Sequence, residues 1–217
     1  MSRLPAAQRR EQLLDVAETL FSQQGYAGAT TAQIAKAAGV TEPIIYRHFK
    51  SKRDLFVALI ERTGRRTLAL WQGDVSDSED PARRLARILA DNPMVSPEGR
   101  AGYKVLLQAI PEIEDALIAK AVAEHMRMLH EFLTGEIRRA QEAHRVTSRF
   151  SAEVIAWTLI HLGMGYGVVD AMHVSGHGRD EKGTHVREVI ARILVGPQAA
   201  PEKGPEKSPD KGPEKTS

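Results

Sequence analysis

Apolar residues recur at helical spacing along almost the whole chain, and no stretch alternates long enough to predict a half-buried strand. Leu13, Leu14, Ala17, Leu20 and Phe21 form a first stripe, which Gly25 follows as a C-terminal stop. Thr30 with Gln33 three positions on is a capping-box pattern, predicting a short second helix through Ile34, Ala35 and Ala38 that Gly39 ends. Thr41 is placed to cap a third helix. Pro43 is tolerated in its first turn, where the amide it lacks would have no intrahelical partner, and Ile45 and Phe49 face inward. Ser51 and Asp54 repeat the capping-box pattern and open a fourth, longer helix, about residues 52–70, with Leu55, Phe56, Leu59 and Ile60 on one side.

Beyond it, breaks fall near Pro81, Asn92 to Pro97, Pro111, Gly176 to Gly178 and Gly183. Between them run a long stripe of Ile113, Leu117, Ala121, His125, Leu129 and Phe132, an apolar segment from Val154 to Met172, and a last helix around Val186, Ile190 and Leu194. The pattern predicts an all-α protein of about nine helices, with residues 1–55 as a three-helix unit and 56–196 as a larger helical domain. Pro197, Pro201, Pro205, Pro209 and Pro213 then stand at strict four-residue spacing, with an acid and a lysine after each of the last four. With no large apolar residue to bury, residues 197–217 read as a disordered, solvating tail, a weak DNA tether being the alternative.

Charge and composition narrow the function. The chain carries only +2 overall, but residues 1–55 hold eight Lys or Arg against five acids, while 56–196 hold eighteen against nineteen. The modest cationic excess therefore lies at the N-terminus, too small for a non-specific, chromatin-like DNA binder. Absence of cysteine removes disulfides, thiolate nucleophiles and Cys-based zinc sites. No apolar run approaches the ~20 residues that span a bilayer, and no signal-peptide core opens the chain, so a cytoplasmic protein is expected. No phosphate loop, nucleophile elbow or metal-ligand cluster suggests an enzyme, and no cofactor is expected.

Helices two and three are joined by a few residues at Gly39 and Val40, the spacing of a helix-turn-helix, in which glycine accepts the positive φ of a sharp turn. A major groove about 12 Å wide admits one helix, and a second braced across it holds the first against the phosphates. Such turns occur in any helical bundle. Here, however, Gly25-Tyr26, Thr30-Thr31, Ile34-Ala35, Ala38-Gly39-Val40-Thr41, Tyr46-Arg47-His48-Phe49 and Lys50-Ser51-Lys52 through Leu55 together resemble the tetracycline-repressor-like (TetR) family of transcriptional regulators.

The resemblance implies a homodimeric, sequence-specific DNA-binding regulator, by family default a repressor released from a near-palindromic operator by a small, mostly hydrophobic ligand. Tyr46, Lys52 and His48 stand where members contact phosphates, chemistry that sets register and not sequence. Thr30 would offer its hydroxyl or the helix-two amides to another phosphate. Base reading falls to Thr41, Glu42, Pro43 and Ile44: Pro43 and Ile44 suit a thymine methyl, and Glu42 accepts from cytosine N4 but repels phosphate. Thr31, Gln33 and Arg47 complete the expected DNA-contacting set. Ala32 stands where some relatives place an arginine, so one strong reader of guanine is missing and DNA shape gains weight. These departures keep open an alternative, a helical small-molecule or partner-binding protein with weak or lost DNA binding.

Beyond residue 60 the resemblance is architectural only. Trp157, Gly163, Gly167, Val186 and Ile190 are the candidate dimer interface, since two late apolar helices from each subunit make a four-helix contact; the alternative is that Val154–Met172 is buried within its own subunit. Candidate effector-pocket residues are Tyr103, Leu106, His125, Met128, Phe132, Trp157, His161 and Met164, an apolar set with a few polar groups, each equally readable as plain core. His173 and His177 are four apart, but Gly-rich surroundings without a third ligand favour solvent-exposed histidines over a metal pair.

Overall fold

A computed structural model describes residues 4–73, 80–90, 92–96 and 99–195. Among them are nine α-helices: α1 (Ala6–Gly28), α2 (Thr31–Ala37), α3 (Glu42–His48), α4 (Lys52–Gln72), α5 (Pro81–Ala90), α6 (Arg100–Leu107), α7 (Ala116–Glu142), α8 (Ala152–Ala171) and α9 (Val186–Val195), with a single 3-10 turn at Ile110–Glu112. No strand occurs among the described residues. The side chain of Leu194 and the 197–217 tail lie outside them.

The capping chemistry sets the boundaries. Ser51 accepts from the Asp54 amide at 3.1 Å, while the Asp54 carboxylate, shorter than a glutamate, reaches the amide of Lys50 at 2.9 Å instead of completing the box. Asp115 takes the amides of Leu117 and Ile118, so α7 begins later than the sequence stripe suggested. Ile113 therefore precedes the helix, and both it and Leu117 are exposed.

One continuous core runs from Leu13, Phe21 and Ile34 through Phe56 and Leu59 to Leu129, Leu133 and Ile160. Phe21 meets Tyr26 and Phe56 edge-on at 5.7 and 5.8 Å, and Tyr26 stacks on Phe56 at 4.3 Å. At Gly39, φ is +67°, the left-handed turn required between α2 and α3. Gly25, at φ +80°, breaks α1 near the expected place, with one further turn after it.

Helix α8 departs from expectation. At 20 residues it is by length and composition long and apolar enough to cross a membrane, and about a third of it is buried. Only Glu153 and Asp170 among its residues carry a full charge, because apolar side chains occupy its inner and outer faces alike.

Candidate nucleic-acid interface and ligand cavity

Helix α2 opens with a complete capping box: the Gln33 amide donates to the Thr30 hydroxyl at 3.2 Å, and the Thr30 amide donates to the Gln33 side chain at 2.8 Å. Gln33 is thus engaged in the cap. Thr41 occupies the N-cap position of α3, but its hydroxyl makes no capping bond and is exposed. The turn is held instead by the Ile44 amide donating to the Thr41 carbonyl at 2.9 Å.

Inward, Ile45 and Phe49 are buried; outward, Pro43, Tyr46 and Arg47 are exposed and Ile44 and His48 partly so. Two expected DNA contacts are turned inward. Thr31 is buried and donates its hydroxyl to the Glu42 carboxylate, with the Tyr46 hydroxyl 3.3 Å from Thr31 and 3.5 Å from Glu42. In this geometry Thr31 and Glu42 bind one another, because a carboxylate beside a buried hydroxyl finds a better partner there than in water. Lys36, Arg47 and Lys50 point free cations outward, with no ion pair among the described residues; Lys36 had no motif to single it out in the sequence, and Lys50 stood in the Lys50-Ser51-Lys52 motif without being assigned a DNA contact.

Lys52 also differs from expectation. Its ammonium donates to the carbonyls of Tyr26 at 2.9 Å and Ala29 at 3.2 Å, lies 3.5 Å from that of Ala27, and sits 4.5 Å above the Tyr26 ring. The three donors of the group meet three carbonyls at the end of α1, so it closes that helix while anchoring the start of α4.

Sequence reasoning missed the joint between the DNA-binding helices and the body. Arg62 of α4, its side chain only 5% exposed, binds Asp15 at 2.7 Å, Glu11 at 3.4 Å and Glu18 of α1. Arg66 adds contacts to Asp15 at 3.2 Å and Glu18 at 3.4 Å. Gln108, the C-cap of α6, donates to the Phe21 carbonyl at 2.7 Å, and Arg53 pairs with Asp115 at 2.9 Å, holding that carboxyl below its usual range. Glu11, Asp15 and Glu18 stand three to four apart, the one sequence signal that they share a helix face.

The expected effector set does not form one cavity. Tyr103, Leu106 and His125 are buried core. A Cβ on Gly64 would stand 2.9 Å from both His125 Nδ1 and Met128 Cε, so α7 approaches α4 closely enough for those two side chains to fill the space. Burial holds the His125 imidazole down at about 4, with the Ile60 carbonyl 3.4 Å away the opposing influence. Tyr103 shares a hydrogen bond with Thr67 at 3.0 Å, and burial pushes its phenol up. Phe132 stacks on Trp71. Trp157 is 39% exposed, stacked between His130 at 4.5 Å and His161 at 5.9 Å. Leu106 and Met164 line a separate small apolar hollow.

A larger cavity, about 430 Å³, opens between α5, α8, α9 and the loop after α8, and of the expected set only His161 lines it. Two expected interface glycines face this side of the same chain: a Cβ on Gly163 would meet Met94 Sδ at 2.6 Å, and one on Gly167 the Met94 carbonyl at 3.6 Å. The 92–96 segment of the same chain comes closest at Gly163, while at Gly167 it stands at ordinary contact distance. Trp157 and Val186 are exposed, Ile190 half-buried, and Val186 and Ile190 line the cavity. His173 is exposed and His177 half-buried against Tyr166 at 4.7 Å, and no cluster of three potential metal ligands occurs among the described residues.

Residues 13–59 match the family model described as bacterial regulatory proteins, tetR family. The transcriptional regulator AcrR of Shigella flexneri is 54% identical over 56 residues, covering 26% of each chain. The chain thus spans about a quarter of the length of that relative. Among solved structures, a TetR-family regulator from Rhodococcus sp. shares the fold with a TM-score of 0.70 at 20% identity, over 87% of this chain and 99% of that one. AibR, solved with isovaleryl coenzyme A and operator DNA, aligns with a TM-score of 0.65 at 19% identity, over 87% and 99%. Residues 13–59, the helix-turn-helix domain, thus match the tetR family of bacterial regulatory proteins, and the chain shares its overall fold with solved structures of regulators so described.

Proposed function

We propose that the protein is a homodimeric transcriptional regulator, a repressor that binds a near-palindromic operator through α3 and releases it when a small, mostly apolar ligand binds the helical body. The observation that carries this reading is the outward face of α3. Pro43, Ile44, Tyr46 and Arg47 project from a helix held by the burial of Ile45 and Phe49 in the core, with unpaired Lys36 and Lys50 at its flanks. An exposed helix ringed by unpaired cations is suited to a groove walled by phosphates.

Dimerisation is supported by the apolar residues α8 and α9 leave exposed: Val154, Trp157, Leu162, Val186 and Val189. A two-fold dimer sets its recognition helices about 34 Å apart, or a multiple of it, hence the near-palindrome. Ligand control follows if the bound ligand favours a different spacing of the two helices.

Selection of random DNA by the purified protein, followed by salt titration on the winner and on a scramble, tests this. A near-palindromic winner bound far more tightly than the scramble, and weakened by Tyr46→Ala without loss of fold or dimer, is the expected outcome. Absent enrichment, or equal binding of both, overturns it in favour of a helical ligand-binding or partner-binding protein.

A further inference from the structure

We propose that the cavity between α5, α8, α9 and the loop after α8 binds a neutral, predominantly apolar small molecule that carries one hydrogen-bond acceptor. The binding itself stands on the cavity; only its effect on DNA rests on the regulator reading above.

The volume, about 430 Å³, lies within the roughly 300–1,000 Å³ of small-molecule pockets. Leu89, Val95, Leu159, Leu162, Val169 and Ile190 supply an apolar wall from four segments, and among the described residues lining it there is no Asp, Glu, Lys or Arg. A charged ligand would surrender its hydration with no permanently charged side chain among those described lining residues to offset the loss.

Polar groups are few and placed. The Asn92 carbonyl oxygen already accepts from the Met94 amide at 3.0 Å, which leaves its NH2 to donate. That NH2 lies over α8, 3.2 Å from where a Gly163 Cβ would stand. A carbonyl, ether or hydroxyl oxygen on the ligand is the complementary group. His161 and His177 add two imidazoles, and the buried Nε2 of His177 has no hydrogen-bond partner among the described residues.

The walls need particular residues. Tyr166 forms one end, held between His177 and His185, with its hydroxyl 3.2 Å from His185 Nε2. The loop reaches over it through Gly178, at φ +81°, where a Cβ would come within 2.7 Å of the ring. A Cβ on Gly163 would press on Met94 Sδ, the movable end of a flexible side chain, whereas Gly178 combines a rigid ring neighbour with a positive φ, and glycine is required there.

Equilibrium dialysis of the full chain against 1-decanol and 2-naphthol, and against their anionic counterparts decanoate and naphthalene-2-sulfonate, tests the proposal. Saturable binding of one neutral probe per chain, about tenfold or more tighter than its anion, is expected. Val169→Trp, which fills the hollow, abolishes it; Val95→Trp, from the 92–96 segment and outside the proposed dimer surface, serves if that variant does not fold. Asn92→Asp weakens it about tenfold by replacing a donor with a charge. No saturable binding of either neutral probe, or binding unaltered by both tryptophan variants, overturns the site. So does a tryptophan variant that changes self-association while the wild type binds no probe, since a second copy then fills the hollow. Probe binding that leaves affinity for selected DNA unchanged supports the site and counts against ligand control; no probe binding by a protein that still selects DNA overturns the site and leaves the DNA reading standing.

Discussion

The hydroxyl of Thr31 donates to the carboxylate of Glu42, tying the first turn of α3 to the first turn of α2 across the helix-turn-helix. A negative charge on a surface facing phosphates costs affinity for any DNA, yet here it braces the helix and stands beside the Tyr46 hydroxyl. Glu42→Ala should therefore raise affinity for scrambled DNA while narrowing the ratio of specific to non-specific binding. Fluorescence anisotropy on selected and scrambled duplexes reads both. An unchanged ratio would mean that the tie has no part in recognition.

Lys52 offers a separate test, because its ammonium serves carbonyls at the end of α1. Lys52→Met should destabilise the protein by about 1–2 kcal/mol, read by urea unfolding without DNA. A residue acting only on phosphate would leave that midpoint where it was.

Arg62 is the most enclosed cation at the joint of α1 and α4. Arg62→Leu leaves Glu11, Asp15 and Glu18 facing each other without their shared partner. A loss of about 2–3 kcal/mol is expected, below the full cost of breaking a buried pair because Glu11 and Asp15 are more than half exposed. Arg66→Leu, at an exposed side chain, should cost well under half as much, and equal losses would contradict the difference in burial.

Burial lowers the His125 imidazole from about 6.5 to about 4, so below pH 6.5 the unfolded chain takes up a proton that the folded chain refuses. Stability is then full above pH 6.5 and falls as pH drops from there towards 4. Between pH 7 and pH 5 the loss from this residue is about 2 kcal/mol. Comparing urea midpoints of the wild type and His125→Gln across that range isolates it, with a parallel decline in both as the contrary result.

How far the sequence could be read varied with the range of the interaction. Helix starts at Thr30 and Ser51 and the turn at Gly39 are local, written within four residues, and they were legible. The tie from Thr31 to Glu42 and the clamp from Lys52 to Tyr26 join residues 11 and 26 positions apart, and no local pattern encodes them. That the expected effector residues line no single cavity has a related reason: a stripe containing His125 and Met128 looks the same whether it faces a void or a neighbouring helix, and Gly64, far away in sequence, lets those two side chains pack closely. Gly163 did mark a close approach, but spacing alone could not say whether another chain or the 92–96 segment came near.

The joint between α1 and α4 constrains anyone who would exchange parts between relatives. The family match ends at residue 59, three positions before Arg62, whose carboxylates all lie on α1. A chimera spliced at residue 60 would marry a foreign α1 to this arginine, and to Gln108, which reads only the backbone at position 21 and would accept any donor head. Interchangeability of heads thus turns on three acidic positions outside the recognition helix, and a graft that carries acids to positions 11, 15 and 18 should inherit the seating of this body.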